Sequence, residues 1–168
     1  MKTRLPLSIF ILVEILVALF IFTTTGSMPY NIASHFNGSG VPNGFMSQVG
    51  YTRFMLVFAV GVPALTVCTL LVSLHFASGS INIPNRAYWL SGQNKSETLQ
   101  FLKGHAAWLG IIIASFVAYV HLLLLKANQR QPPQLSNPHL FIGMGALLLG
   151  MLVWAFWLVV KFRRMPKA

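Results

Sequence analysis

The chain contains no aspartate and only two glutamates, Glu14 and Glu97, in 168 residues. That scarcity removes the paired carboxylates of general acid-base catalysis and the oxygen-rich cages that hold hard cations. There is a single cysteine, Cys68, inside an apolar run, so no internal disulfide can form and no Cys-His pairing suits a nucleophile. No glycine-rich loop leads into a polar helix as a phosphate cradle requires. Charged residues are 8% of the chain and hydrophobic ones 55%, too few polar groups to coat a water-soluble domain of this size. The expectation is an integral membrane protein that is not an enzyme, with no cofactor or metal implied.

What the chain does have is apolar length. Runs at 5–24, 54–76, 106–125 and 140–162 each reach the roughly 20 residues that a helix needs to cross a bilayer. The fold class expected is all-α: one polytopic domain over 1–168, built as a four-helix membrane bundle. Lys2 and Arg4 before the first run resemble a secretory leader, but Glu14 at its centre and Thr-Thr-Thr-Gly-Ser-Met-Pro after it favour a retained first helix. The net charge of +10 would suggest nucleic acid in a soluble protein. Here the cations flank apolar runs, so headgroups are the expected partner and nucleic acid is not. With the N-terminus inside, Lys2, Arg4, Arg86, Lys95, Lys103, Lys161, Arg163, Arg164 and Lys167 fall on one side against Arg53, Lys126 and Arg130 on the other. The positive-inside bias predicts a bacterial inner membrane protein with both termini cytoplasmic.

Within the spans, Glu14, Thr66 and Ser115 come to similar depth if the helices alternate in direction. A charge at mid-bilayer costs at least ~2.5 kcal/mol, so Glu14 is expected to face the bundle, either as hydroxyl-bonded glue or on a wet path. Pro63 should bend the second span. Gly143, Ala146 and Gly150 form a small-residue seam on the fourth, suited to close packing inside the bundle or against a partner. His35, His121 and His139 fall at the outer side, where three interfacial histidines are a simpler reading than a metal site.

Two connections carry the chemically particular residues. In the first, Ser34 to Gly44 crowds three glycines, Pro42 and an Asn-Gly pair around His35-Phe36-Asn37, which predicts a shaped outer loop. The second, Ile81 to Leu90, joins a proline-bounded start to the aromatic pair Tyr88 and Trp89. After it, Asn94 and Glu97 match a capping box, predicting a short interfacial helix over 95–103 that ends near Gly104.

The motif His35-Phe36-Asn37-x-x-Gly40-x-Pro42-Asn43-Gly44, followed by Pro84-Asn85-Arg86-x-Tyr88-Trp89-Leu90, resembles a bacterial membrane domain of unknown function. The same domain forms the N-terminal part of SDP-toxin immunity proteins. The likeness spans about two thirds of the chain. Asn43 stands where that family often carries an acid, and the immunity proteins have further helices. The resemblance implies a small polytopic inner-membrane protein whose candidate binding residues are His35, Phe36, Asn37, Gly40, Pro42, Asn43 and Gly44 outside, with Asn85, Arg86, Tyr88 and Trp89 inside. The leading expectation is a regulatory or immunity-like protein that engages a peptide or protein partner through its outer loop. The alternatives are an accessory subunit of a larger membrane complex and a small transporter or membrane enzyme that uses Glu14 and the histidines.

Overall fold

The computed structural model describes residues 4–76 and 81–164. Lys2 and Lys167, counted above among the inner charges, lie outside the described residues. The order of elements is α1 (Arg4–Thr25), β1 (Asn31–Phe36), β2 (Pro42–Ser47), α2 (Gln48–Phe76), α3 (Arg86–Trp89), α4 (Asn94–Asn128) and α5 (Asn137–Arg163). Four of these helices, α1, α2, α4 and α5, are long and apolar enough to cross a membrane, as a multi-pass protein requires. Hydrocarbon offers no partner for backbone N–H and C=O groups, so apolar runs of this length close their bonds internally as helices.

Helical spacing decides which residues meet. On α1 the buried residues are Phe10, Glu14, Val17, Ile21 and Thr25, and on α2 they are Tyr51, Met55, Ala59, Pro63 and Val67. Steps of three and four place each set on one face. Both faces close on α4, whose inward positions are small where the approach is tightest. A β-carbon at Gly110 would come within 2.5 Å of Val67 and 2.7 Å of Phe10, so only glycine lets the three helices meet there. Opposite faces keep large apolar side chains outward, such as Leu12, Leu19 and Phe22 on α1, which suits a lipid-facing surface.

The bundle is less even than four equal helices. α4 packs against α1, α2 and α5, whereas the only buried residues of α5 are Gly143 and Phe162. Of the predicted seam, Gly143 faces the Tyr119 ring and Gly150 faces Ile112, both on α4, while Ala146 is exposed. α2 runs through Pro63 without interruption, leaving the Ala59 carbonyl without its usual helical donor.

Two expectations need correction, and a third gains its form. The interfacial helix over 95–103 is not separate: α4 runs unbroken from Asn94, because Gly104 alone costs a helix only about 1 kcal/mol and here packs against Pro6. The capping box does not form, since Gln93 is the N-cap residue and the Asn94 amide donates to the Tyr88 carbonyl at 3.2 Å. The shaped loop expected between the first two spans takes form as a two-stranded antiparallel hairpin on a mostly helical bundle. Ala33 pairs with Phe45, His35 with Gly44 and Phe36 with Pro42, which leaves Ser34 and then Asn43 as extra residues on opposite strands. The two bulges cancel in register but erase the alternation that marks a strand, so that Ile32 and Ala33 are buried side by side.

Candidate functional site

The hairpin is built from its turn outward. Asn37 Oδ1 accepts from the backbone N–H groups of Ser39 at 2.9 Å and Val41 at 3.0 Å, while Gly40 N–H donates to the Asn37 carbonyl at 2.9 Å. This is the side-chain-for-backbone substitution that asparagine makes readily. Gly40 has φ +77°, and a β-carbon there would lie 2.5 Å from the Leu135 carbonyl oxygen. Both the left-handed backbone and the close approach demand glycine.

The connection between α4 and α5 clasps this turn. Gln134 Nε2 donates to the Ser39 carbonyl at 2.9 Å, Asn137 Nδ2 to Gly38 at 2.7 Å, and Leu135 N–H to Gly40 at 3.0 Å. Lower down, buried Asn128 acts as a one-residue strand: its Oδ1 accepts from Ala33 N–H at 2.8 Å and its Nδ2 donates to the Ala33 carbonyl at 2.9 Å. Gln48 finishes the frame by donating to the last carbonyls around the α1 terminus, Thr25 at 3.0 Å and Met28 at 2.8 Å. None of Asn128, Gln134, Asn137 or Gln48 stood out in the sequence, because each partner lies 20 or more residues away.

On the outer face, His35 Nδ1 meets Asn43 Oδ1 at 2.5 Å, and both residues are exposed. Because Asn43 Oδ1 can only accept, that ring nitrogen carries the proton. Gly44 is the cross-strand neighbour of His35, and a β-carbon on it would sit 3.0 Å from the His35 β-carbon. Phe36 is half-buried against the apolar cluster beneath, and Pro42 closes the strand opposite it. Tyr30, Val41 and Phe45 remain exposed around the same hairpin.

The second motif lies at the far end of the bundle and packs on the chain itself. Asn85, at φ +53°, donates through Nδ2 to the carbonyls of Phe162 at 3.0 Å and Arg163 at 3.2 Å; Trp89 Nε1 donates to Phe162 at 2.9 Å. These bonds satisfy the free carbonyls at the end of α5. Tyr88 stands edge-on against Trp89 with centroids 5.0 Å apart, and Arg86 is exposed. Asn85 and Trp89 thus bind α5 of their own chain, and the two motifs do not form one site.

The membrane-depth residues part company. Glu14 is buried, but neither carboxyl oxygen has a hydrogen-bond partner among the described residues. Thr66 donates to the Val62 carbonyl of its own helix at 2.9 Å, and Ser115 is exposed. The expected Glu14, Thr66 and Ser115 cluster is not formed, since depth alone did not fix which way each side chain turns. His121 is a second correction, being fully buried rather than interfacial. Its Nε2 lies 2.8 Å from Thr24 Oγ1 and its Nδ1 2.9 Å from Tyr51 Oη. Thr24 spends its own proton on the Phe20 carbonyl, so His121 Nε2–H donates to Thr24 and Tyr51 O–H donates to Nδ1. This neutral chain ties α1, α2 and α4 together and leaves His121 no lone pair for a metal. His139 is held by Ser136 Oγ at 2.7 Å.

No family model, no curated protein and no solved structure matches this chain.

Proposed function

We propose that the chain is a non-catalytic, multi-pass protein of a bacterial inner membrane, with both termini cytoplasmic, that binds a peptide or protein partner through the β1–β2 hairpin. The observation that carries this reading is the clasp on the turn, in which Gln134, Leu135 and Asn137 each bond a carbonyl of Ser39, Gly40 or Gly38. A passive connector between two helices needs no such bracing. Bracing does serve recognition, because a surface fixed in advance loses less entropy on binding. Exposed Phe45 on β2 and Tyr30 just before β1 supply aromatic side chains of the kind that dominate protein interfaces. For orientation, the described cations number seven at the α3 end, Arg4, Arg86, Lys95, Lys103, Lys161, Arg163 and Arg164, against Arg53, Lys126 and Arg130 at the hairpin end. This asymmetry supports an outward-facing hairpin.

The test is affinity purification from membranes in mild detergent, comparing the wild type with a His35→Ala, Phe45→Ala double variant. A stoichiometric protein should accompany the wild type and fall at least about tenfold in the variant, as for loss of an interface anchor. Both proteins should unfold at the same temperature. Retention by the variant, or a wild type that purifies alone, overturns the reading.

A further inference from the structure

At the opposite end from the hairpin lies a cavity of about 690 Å³, bounded by α4, the end of α5, α3 and Pro6 of α1. Its walls are mixed: the rings of Phe101, Trp108, Trp157 and Phe162 alternate with polar Asn94 and Gln100, and Glu97 and Lys161 line it as charged groups. Two buried polar atoms belong to residues that line it and have no hydrogen-bond partner among the described residues: Thr98 Oγ1 and His105 Nδ1. Each of these residues is 3% exposed. An unpaired polar atom at this depth is costly and native proteins rarely leave one.

The state of His105 follows from its surroundings. Nε2 lies 3.1 Å from the Trp154 carbonyl, which can only accept, so Nε2 carries the proton. Trp154 Nε1–H returns a bond to the His105 carbonyl at 2.8 Å. Both ring faces are covered, by Trp154 with centroids 4.4 Å apart and planes 12° apart, and by Phe101 at 5.4 Å and 16°. What remains is the Nδ1 edge, a lone pair that accepts and cannot donate.

We propose that this cavity binds a neutral aromatic alcohol of the phenol or hydroquinone class, whose O–H donates to His105 Nδ1 while its ring lies among the tryptophans. Each alternative chemistry meets an obstacle in the cavity itself. A cation competes with Lys161, whose ammonium already stands 5.1 Å from the Trp89 centroid and 5.7 Å from that of Phe101. A carboxylate or a phosphodiester, which carries no proton at neutral pH, brings no donor for Nδ1. A purely aliphatic chain leaves both orphaned atoms unpaired. The hydroxyl of Thr98 can donate or accept, so it can meet a second oxygen on the same ligand.

All four tryptophans of the chain, Trp89, Trp108, Trp154 and Trp157, line this cavity or a smaller apolar one of about 320 Å³ that His105 also lines. Their fluorescence therefore reports on the site directly. The experiment titrates 4-propylphenol and its methyl ether, 4-propylanisole, into the purified full chain in detergent, with excitation at the red edge of tryptophan absorption. The two probes match in shape and differ in the donor. Saturable binding is expected, with the phenol at least about tenfold tighter than the ether, the weight of one hydrogen bond to an otherwise unpaired buried acceptor. His105→Phe keeps the stacked rings and should abolish the preference. Equal binding of the two probes by the wild type overturns the proposal without need of any variant. So does a preference that survives in a folded His105→Phe protein, and so does the absence of saturable binding, which would assign the orphaned atoms to water.

Discussion

At the scale of single residues, chemistry often follows from type while partners do not. The role of Asn37 in the turn was legible from the sequence, because asparagine beside glycine bonds its local backbone. His121 was not, since Thr24 and Tyr51 lie 97 and 70 positions away and only the packed helices bring them to its two ring nitrogens. Glu14 was half legible. Its burial was expected, but Thr66 had a nearer acceptor in its own helix, as threonine often does. A carboxyl group buried without a partner costs more than a hydrogen bond returns, and replacing it with an apolar side chain of like size relieves that cost. Glu14→Leu should therefore raise the stability of the detergent-solubilised protein by roughly 1–3 kcal/mol. Thermal unfolding of the two proteins side by side checks this, and a lower midpoint for the leucine variant would show that the carboxyl group is bonded after all.

Elements obey rules that the sequence displays unevenly. The four spans were plain because hydrophobic length leaves an apolar chain no alternative to helix. The hairpin was hidden behind its paired bulges at Ser34 and Asn43, although the turn residues correctly marked a compact structure. The interfacial helix was misplaced because a glycine and a histidine are weak stop signals once the helix continues into lipid. For the hairpin as an element, two glycines two positions apart make opposite predictions. Gly40→Ala forces a side chain into a left-handed backbone and against the Leu135 carbonyl, so a loss of roughly 1–3 kcal/mol is expected. At Gly38 a β-carbon would meet nothing within 4 Å, and Gly38→Ala should change stability by no more than about 0.5 kcal/mol. Chemical unfolding followed by fluorescence distinguishes the two, and equal losses would mean that the turn is not clasped as described.

For the molecule as a whole, the two ends carry different chemistry. The hairpin end is a polar clasp, with amides from Asn128, Gln134 and Asn137 holding backbone. At the other end an aromatic knot holds Phe162 between Trp89 and Phe101. Reporter fusions after Gly44 and Gln134 should read as outside the cell membrane, and fusions after Gln93 and Ala168 as inside, in keeping with the distribution of Lys and Arg. An inside signal after Gly44 would reverse the arrangement and place the hairpin in the cytoplasm. The clasp also sets an order of manufacture. Ribosomes make the chain from its N-terminus, so residues 38–40 leave the ribosome well before the residues 134–137 that hold them. Until residues 134–137 have been made, the turn has only Asn37 and the pairing of its own two strands for support. A structure synthesised before its clasp is thus completed only after it.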